Sequence, residues 1–277
     1  MGEETYAESG NLRRLDIDAC GVRSPHRLAR AMAHAMDRVM KGAVAPGSEA
    51  SPAVVRFGQA AAADLRRLAR LHDREPTAEL LEELRERPLQ DLFGLTLDRP
   101  DAEQAMALIA EVVADLPCPI DGESLEELAA DFAVIHRTDA LRAGPRESVW
   151  GHAEAATQVA SWHLRFGFVS DDPRDPDHLV PELRFLAELL DRARPEDAAA
   201  FLDRHALRWV PDFCGRVAAR CRTPYFAGVA LVTGAYLDQL RDRLEQDFAL
   251  PRPLDEGRTT ERKGTMTRKP EYADPWA

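Results

Sequence analysis

The sequence predicts an all-α fold, and three observations carry that expectation. Only 6% of the 277 residues are aromatic, while Ala, Leu, Arg and Glu recur throughout, and those residues lose little conformational freedom in a helix. Segment after segment places apolar residues at i, i+3 and i+4 with charges on the opposite face, the pattern of a helix that buries one side. Capping residues and prolines then punctuate the segments where helices should start and stop. With an apolar fraction of 45%, a core of ordinary size can form. The expected organisation is one helical-bundle domain over 53–250, a flexible extension and linker over 1–52, and a disordered tail over 251–277.

The elements follow in order. Residues Pro25 to Met40 space Leu28, Met32, Met36 and Met40 four apart, one amphipathic helix in an otherwise turn-rich extension, and APGSEASP after it reads as a linker. Three helices follow: FGQAAAADLRRLARLHD, AELLEELRE after Thr77, and DAEQAMALIAEVVADL after Pro100. Thr77 and Asp98 are the expected caps, because their side-chain oxygens accept from otherwise unpaired amides, and Pro88 and Pro117 mark ends. Ser124 to Glu127 has capping-box spacing and opens a helix to about His136. A loop, RTDALRAGPRESVW, leads into GHAEAATQVASWHLRFGF, where Val159, Trp162 and Phe166 share a face and Gly167 is the expected breaker. Pro195 suits the first position of the next helix. The last helix spans Pro224 to Phe248.

A net charge of −12 argues against nucleic acid and anionic lipid as partners; a cationic partner is favoured. The longest apolar run, Phe226 to Leu237, falls short of the roughly 20 residues that cross a bilayer. Arg13-Arg14 is followed by LDIDACG and not by an apolar stretch, so the chain is expected to act in the cytoplasm. Cys20, Cys118, Cys214 and Cys221 form no CxxC pair, so free buried thiols are expected. Cys214 and Cys221 would share a face if one helix carried both.

The chemistry-bearing candidates concentrate between Asp171 and Leu190. Asp171, Asp175, Asp177 and Glu182 fall on the first, fifth, seventh and twelfth positions of a calcium loop. Pro173 and Pro176, however, occupy positions that need a ligand and a glycine, so no metal is expected. None of the eight histidines belongs to an HExxH motif, and there is no Gly-rich phosphate loop or GxSxG elbow. If Asp175 caps a helix with Pro176 at its first position, Pro181 sits inside that helix at a cost of about 3 kcal/mol. If the helix begins near Val180, Asp177 and His178 belong to a rigid loop with their side chains free. Leu179, Leu183, Leu186 and Leu190 form the buried stripe that anchors the loop in either case.

Pro176-Asp177-His178-Leu179, followed by Glu182-Leu183 and Phe185-Leu186, resembles the signature of the TorD/DmsD/NarJ-like family of cytoplasmic chaperones for molybdenum-containing oxidoreductases. LARLHDREPTAELLEEL, LEELAADFAVI, PRESVW and the spacing of Phe201, His205, Trp209 and Phe213 are similar to that family in the same order. The resemblance runs from about Ala53 to Leu250. It implies a helical, non-catalytic TorD-like bundle without a cofactor of its own. Such a protein binds the leader peptide and apo form of a molybdoenzyme catalytic subunit, and holds back twin-arginine export until the cofactor is inserted. It further implies that Asp177 and His178 contact the leader, with Pro176 and Leu179 setting the loop. Asp171, Asp172 and Asp175 add carboxylates for the leader's guanidinium groups, and Trp162, Phe166 and Phe168 add apolar surface, although Trp162 also suits the core.

Three departures stand out: Arg174 replaces a glutamate two residues before the Pro-Asp-His, Arg146 replaces an aromatic before Glu147, and the N-terminal extension is long. Two other classes of function stay open, a small metal- or nucleotide-dependent hydrolase using Asp177 and His178, and a permanent small subunit of the oxidoreductase. The linker before Ala53 and the loop around Gly144 are where exchange of elements would make a homodimer.

Overall fold

Ser51, Thr77 and Asp121 each accept a hydrogen bond from the amide three residues on, and helices begin immediately after them. The computed structural model describes residues 51–253, apart from 139, 171 and 173. The expected helix from Pro25 to Met40, most of the linker, Cys20 and the tail from residue 254 lie outside the described residues. The helices are α1 (Pro52–Asp73), α2 (Ala78–Glu86), α3 (Leu89–Leu92), α4 (Pro100–Asp115), α5 (Gly122–His136), α6 (Ala155–Phe166), α7 (Leu179–Asp191), α8 (Pro195–Phe201), α9 (Leu207–Ala218) and α10 (Pro224–Phe248). A single 3-10 turn, Glu147–Trp150, precedes α6, and a π turn, Leu202–Ala206, joins α8 to α9. There is no strand among the described residues, and the fold is all-α. No described helix is long and apolar enough to cross a membrane.

Helix α7 is the axis of the bundle. Ten of its 13 residues are buried, so it is enclosed on nearly all sides and not along one stripe. Its flank against α1 is a close backbone approach: a Cβ built on Gly58 would stand 2.2 Å from the Leu190 carbonyl oxygen. Helix α4 lies along α10, which also packs on α9.

Buried polar side chains tie these layers together, as buried hydrogen-bonding groups must find partners. Asp64 on α1 accepts from the Gly94 and Leu95 amides and from the Tyr236 hydroxyl, at 2.7, 2.9 and 3.1 Å. Asp131 on α5 accepts from the Thr223 amide and hydroxyl, both at 2.8 Å, fixing the turn into α10. Arg241, 1% exposed, donates to Asp203 in the π turn and to the Leu250 carbonyl.

Several local expectations are corrected. Helix α4 is preceded by Arg99, not capped by Asp98, whose amide instead donates to Gln239. Helix α5 starts two residues before Ser124, because Asp121 is the better acceptor and takes the Ser124 amide. A short α3 intervenes where only three helices were expected. Helix α9 ends at Ala218, so Cys214 and Cys221 are not on one helix, and Cys118 is an exposed thiol, not a buried one. Helix α7 begins at Leu179, so Pro181 is its third residue, where an amide would have lacked a helical partner in any case.

Gly58→Ala is expected to lower stability by about 1–3 kcal/mol through overpacking against rigid backbone. Urea unfolding followed by circular dichroism measures this directly.

Candidate functional site

Two loops far apart in sequence are stitched together at the amino end of α7. The Glu147 amide donates to the Asp177 carbonyl and the Leu179 amide to the Pro145 carbonyl, both at 2.9 Å. Arg146 and His178 thereby form an isolated antiparallel bridge. Asp177 reinforces it, its Oδ2 accepting from the Ser148 amide at 2.9 Å. Proline accounts for part of this rigidity: Pro145 and Pro176 fix the backbone where each loop enters the bridge. Segments PRESVW and PDHL, separate in the sequence, are one structural unit.

Beneath the bridge lies a buried polar knot. Glu147 Oε2 and His205 Nδ1 are 2.8 Å apart, and both side chains are buried. Glu182 Oε2 accepts from the Trp209 indole at 3.3 Å. Burial, and then the nearby Glu147, hold the Glu182 carboxyl well above the usual carboxylate range. Asp177 Oδ1 and Glu182 Oε1 are buried without a hydrogen-bond partner among the described residues. Phe201, His205, Trp209 and Phe213 are all buried although they are spaced by four. In a regular helix of 3.6 residues per turn that spacing drifts by about 40° per step, and the wider π turn offsets part of the drift.

On the outer side of the bridge opens a cavity of about 490 Å³. It brings together His72 from α1, His136 from α5 and His178, with Arg137, Arg146 and Arg174 around them. Thr233 gives its hydroxyl proton to the Val229 carbonyl at 2.7 Å. The His72 Nε2 that lies 3.0 Å from Thr233 Oγ1 is therefore the donor, leaving its buried Nδ1 as an unpaired acceptor. His178 Nδ1 accepts from the Val180 amide at 3.2 Å, so the neutral ring carries its proton on Nε2. Burial, followed by the charge of Arg174, pushes His178 down to about 4. Burial, followed by His178, pushes His72 down to about 3, and His136 is lowered chiefly by burial and by His72. All three rings are neutral at pH 7.

The charged groups at this cavity are paired. Arg137 meets Glu75 at 2.9 Å, Arg146 meets Asp175 at 2.9 Å, and Arg174 meets Asp172 at 2.6 Å and also Asp73. Arg184 takes the second oxygen of Asp172 at 2.7 Å. Burial alone would raise Asp172, but the hydrogen bonds and charge of Arg174, with Arg184, bring it below its ordinary value. Arg146 and Arg174 thus pair with Asp175 and Asp172 of the loop.

The expected site residues separate accordingly. His178 and the exposed Asp175 line the cavity. Asp177 is fully buried and His178 caps α7 through its ring, which corrects the expectation that both side chains stand free. The first-turn amides of α7 and the 3-10 turn need acceptors, and these two side chains supply them. The carboxylate of Asp172 is enclosed between Arg174 and Arg184, Leu179 is core, and Pro176 is half-buried away from the cavity wall. Trp162 belongs to a different trough, against Phe166, Phe201 and His205. Asp171 lies outside the described residues.

Sequence reasoning placed none of Glu147, Glu182, His72 and His136 in the site, weighing Glu182 only as the last position of a rejected calcium loop and as part of the family signature. The signal for the first two was available: His205 and Trp209 interrupt an apolar stripe, and a buried ring N–H on such a stripe requires an acceptor. Residues 97–215 match the family model described as nitrate reductase delta subunit. That span contains the bridge and the whole knot, but not His72 or Asp73. No curated protein matches the chain.

Two outcomes are expected. Glu147→Ala leaves the buried His205 without its hydrogen-bond partner and costs about 1–3 kcal/mol, measured by urea unfolding. His72, His136, His163 and His178 all sit below the ordinary value of 6.5 in the folded chain, burial being the largest cause. The unfolded chain therefore binds more protons between about pH 4 and 6.5, so stability is full above that window and is lost as pH falls through it. Glu182 and Asp64, both raised, act in the opposite sense but are fewer. The urea midpoint is expected to fall from pH 7 to pH 5, and His72→Gln to flatten that fall.

Proposed function

We propose that this chain, which belongs through residues 97–215 to the NarJ/TorD-type family of maturation chaperones, binds the apo catalytic subunit of a molybdenum-containing oxidoreductase. In line with the family's description, the client is a nitrate reductase or a close chemical relative. The chain acts in the cytoplasm, receives the client's leader peptide, and holds the client back from twin-arginine export until its cofactor is in place.

The observation that carries this reading is the rigid bridge between Arg146 and His178, which presents Asp175 and the His178 Nε2–H to a cavity large enough for side chains of a peptide. Asp175 is exposed and held by Arg146 in a surface ion pair, an interaction worth only about 0–1 kcal/mol. A guanidinium of the leader replaces that of Arg146 at little cost and gains a carboxylate in bidentate geometry. Asp177, Pro176 and Leu179 position the loop, and Asp172 positions it through Arg174. Trp162 lies in a separate trough and is not part of this cavity.

Binding is favoured over hydrolysis by the hydrogen bonding of the two residues that an enzyme would use. Asp177 is engaged by the Ser148 amide and His178 by the Val180 amide, so they are not coupled as acid and base. The family's description as a subunit favours a second reading, in which the chain stays in the finished enzyme; its presence in purified mature oxidoreductase at one copy per client would establish that reading.

The test is fluorescence anisotropy with the client's leader peptide. Asp175→Lys is expected to weaken binding at least about tenfold, whereas Arg146→Ala, which frees Asp175, is expected to preserve or tighten it. Unchanged affinity in a folded Asp175→Lys protein rejects the cavity as the leader site.

A further inference from the structure

We propose that the trough between α6 and the α8–α9 junction binds an extended, acidic polypeptide segment. This inference uses a different face and a ligand of opposite charge from the leader, and it stands without the reading above. The trough encloses about 500 Å³ between Gln158, Ser161, Trp162 and Arg165 on α6 and Arg204 and Arg208 opposite. The guanidinium carbons of Arg165 and Arg204 lie 5.6 and 5.9 Å from the Trp162 ring centroid, in cation–π range.

The trough differs from the first cavity in its positive charge. At the first cavity every arginine meets a carboxylate. Here, among the described residues, Arg204 and Arg208 have no carboxylate within 4.0 Å, and Arg165 has only Asp197 at that limit. Three cations side by side on a chain of net charge −12 offer an anionic partner a surface of complementary charge.

The geometry favours carboxylates strung along a peptide over a phosphate group. Arg204 and Arg208 stand one helical turn apart, about 6 Å along the axis, so the cations form a row and do not converge. No helix begins at the trough: Arg165 is in the last turn of α6 and Arg204 is inside a continuous helical run, so the free amides that cradle phosphate are absent there. Guanidinium forks pair with carboxylates, and the Gln158 amide is free to bond a peptide backbone. The indole is held by Phe166 at 5.7 Å and Phe201 at 5.6 Å, so the floor is preorganised and little ordering opposes binding.

The experiment titrates the full chain against three fluorescein-labelled or competing probes: a peptide of Glu, Ala and Leu, its analogue with Lys for Glu, and inorganic triphosphate. Saturable, salt-sensitive binding of the glutamate peptide is expected, with no comparable binding of the lysine analogue at the trough. Arg204→Glu with Arg208→Glu, both on exposed positions, is expected to weaken it at least about tenfold with an unchanged circular dichroism spectrum and melting point. Absence of binding, or affinity indifferent to the double charge reversal, overturns the proposal. Tighter binding of triphosphate, with displacement of the peptide, overturns the polypeptide assignment in favour of a phosphate site. Asp175→Lys should leave glutamate-peptide affinity unchanged, which separates this result from the fate of the leader reading.

Discussion

The contact between Glu147 and His205 is the constraint from which the functional face is built. A carboxylate taken out of water needs a close, well-aligned partner, and His205 provides it at 2.8 Å. Because Glu147 also donates its amide to the Asp177 carbonyl, one buried side chain fixes two loops at once. The bridge then inherits the rigidity of α7, whose first residues are among the least exposed in the molecule. A surface that looks like loop in sequence is therefore mechanically part of the core.

Electrostatics divides the surface into two kinds of opening. Around His178 the acids and arginines cancel in pairs, and the histidines stay neutral, so recognition there proceeds by exchanging partners and not by bulk attraction. Around Trp162, Arg204 and Arg208 have no carboxylate within 4.0 Å among the described residues, and Arg165 has only Asp197 at that limit. The two openings thus differ in charge: paired at the first, with Arg204 and Arg208 unpaired by carboxylates at the second.

Much of this was legible in the sequence, for reasons that can be stated residue by residue. The last helix runs from Pro224 to Phe248 as expected, because a proline suited to the first position and an unbroken apolar pattern bound it. Gly167 adopts a left-handed conformation at the end of α6, as a C-terminal breaker should. The start of α7 at Leu179 matches one of the two alternatives that Pro181 left open, a helix beginning near Val180. Caps were less legible where two acceptors compete within a few residues, as Asp121 and Ser124 do. The site was half legible: PDHL and PRESVW stood out as motifs, but nothing local says that their backbones pair across about 30 intervening residues. Nor does spacing reveal that Asp172 and Asp177 are consumed by Arg174 and Ser148, since partner choice is settled by tertiary packing.

The π turn at Leu202–Ala206 has a consequence for how this segment tolerates change. Adding or removing one residue there would rotate everything downstream by about 100°, carrying Trp209 away from Glu182 and Phe213 away from the core. Substitutions at Asp203 or Arg204 act through charge, whereas a change in length would act through phase. Chain length between Phe201 and Trp209 is thus held constant by the knot even where the side chains face outward, and the segment behaves as a calibrated spacer as much as a helix.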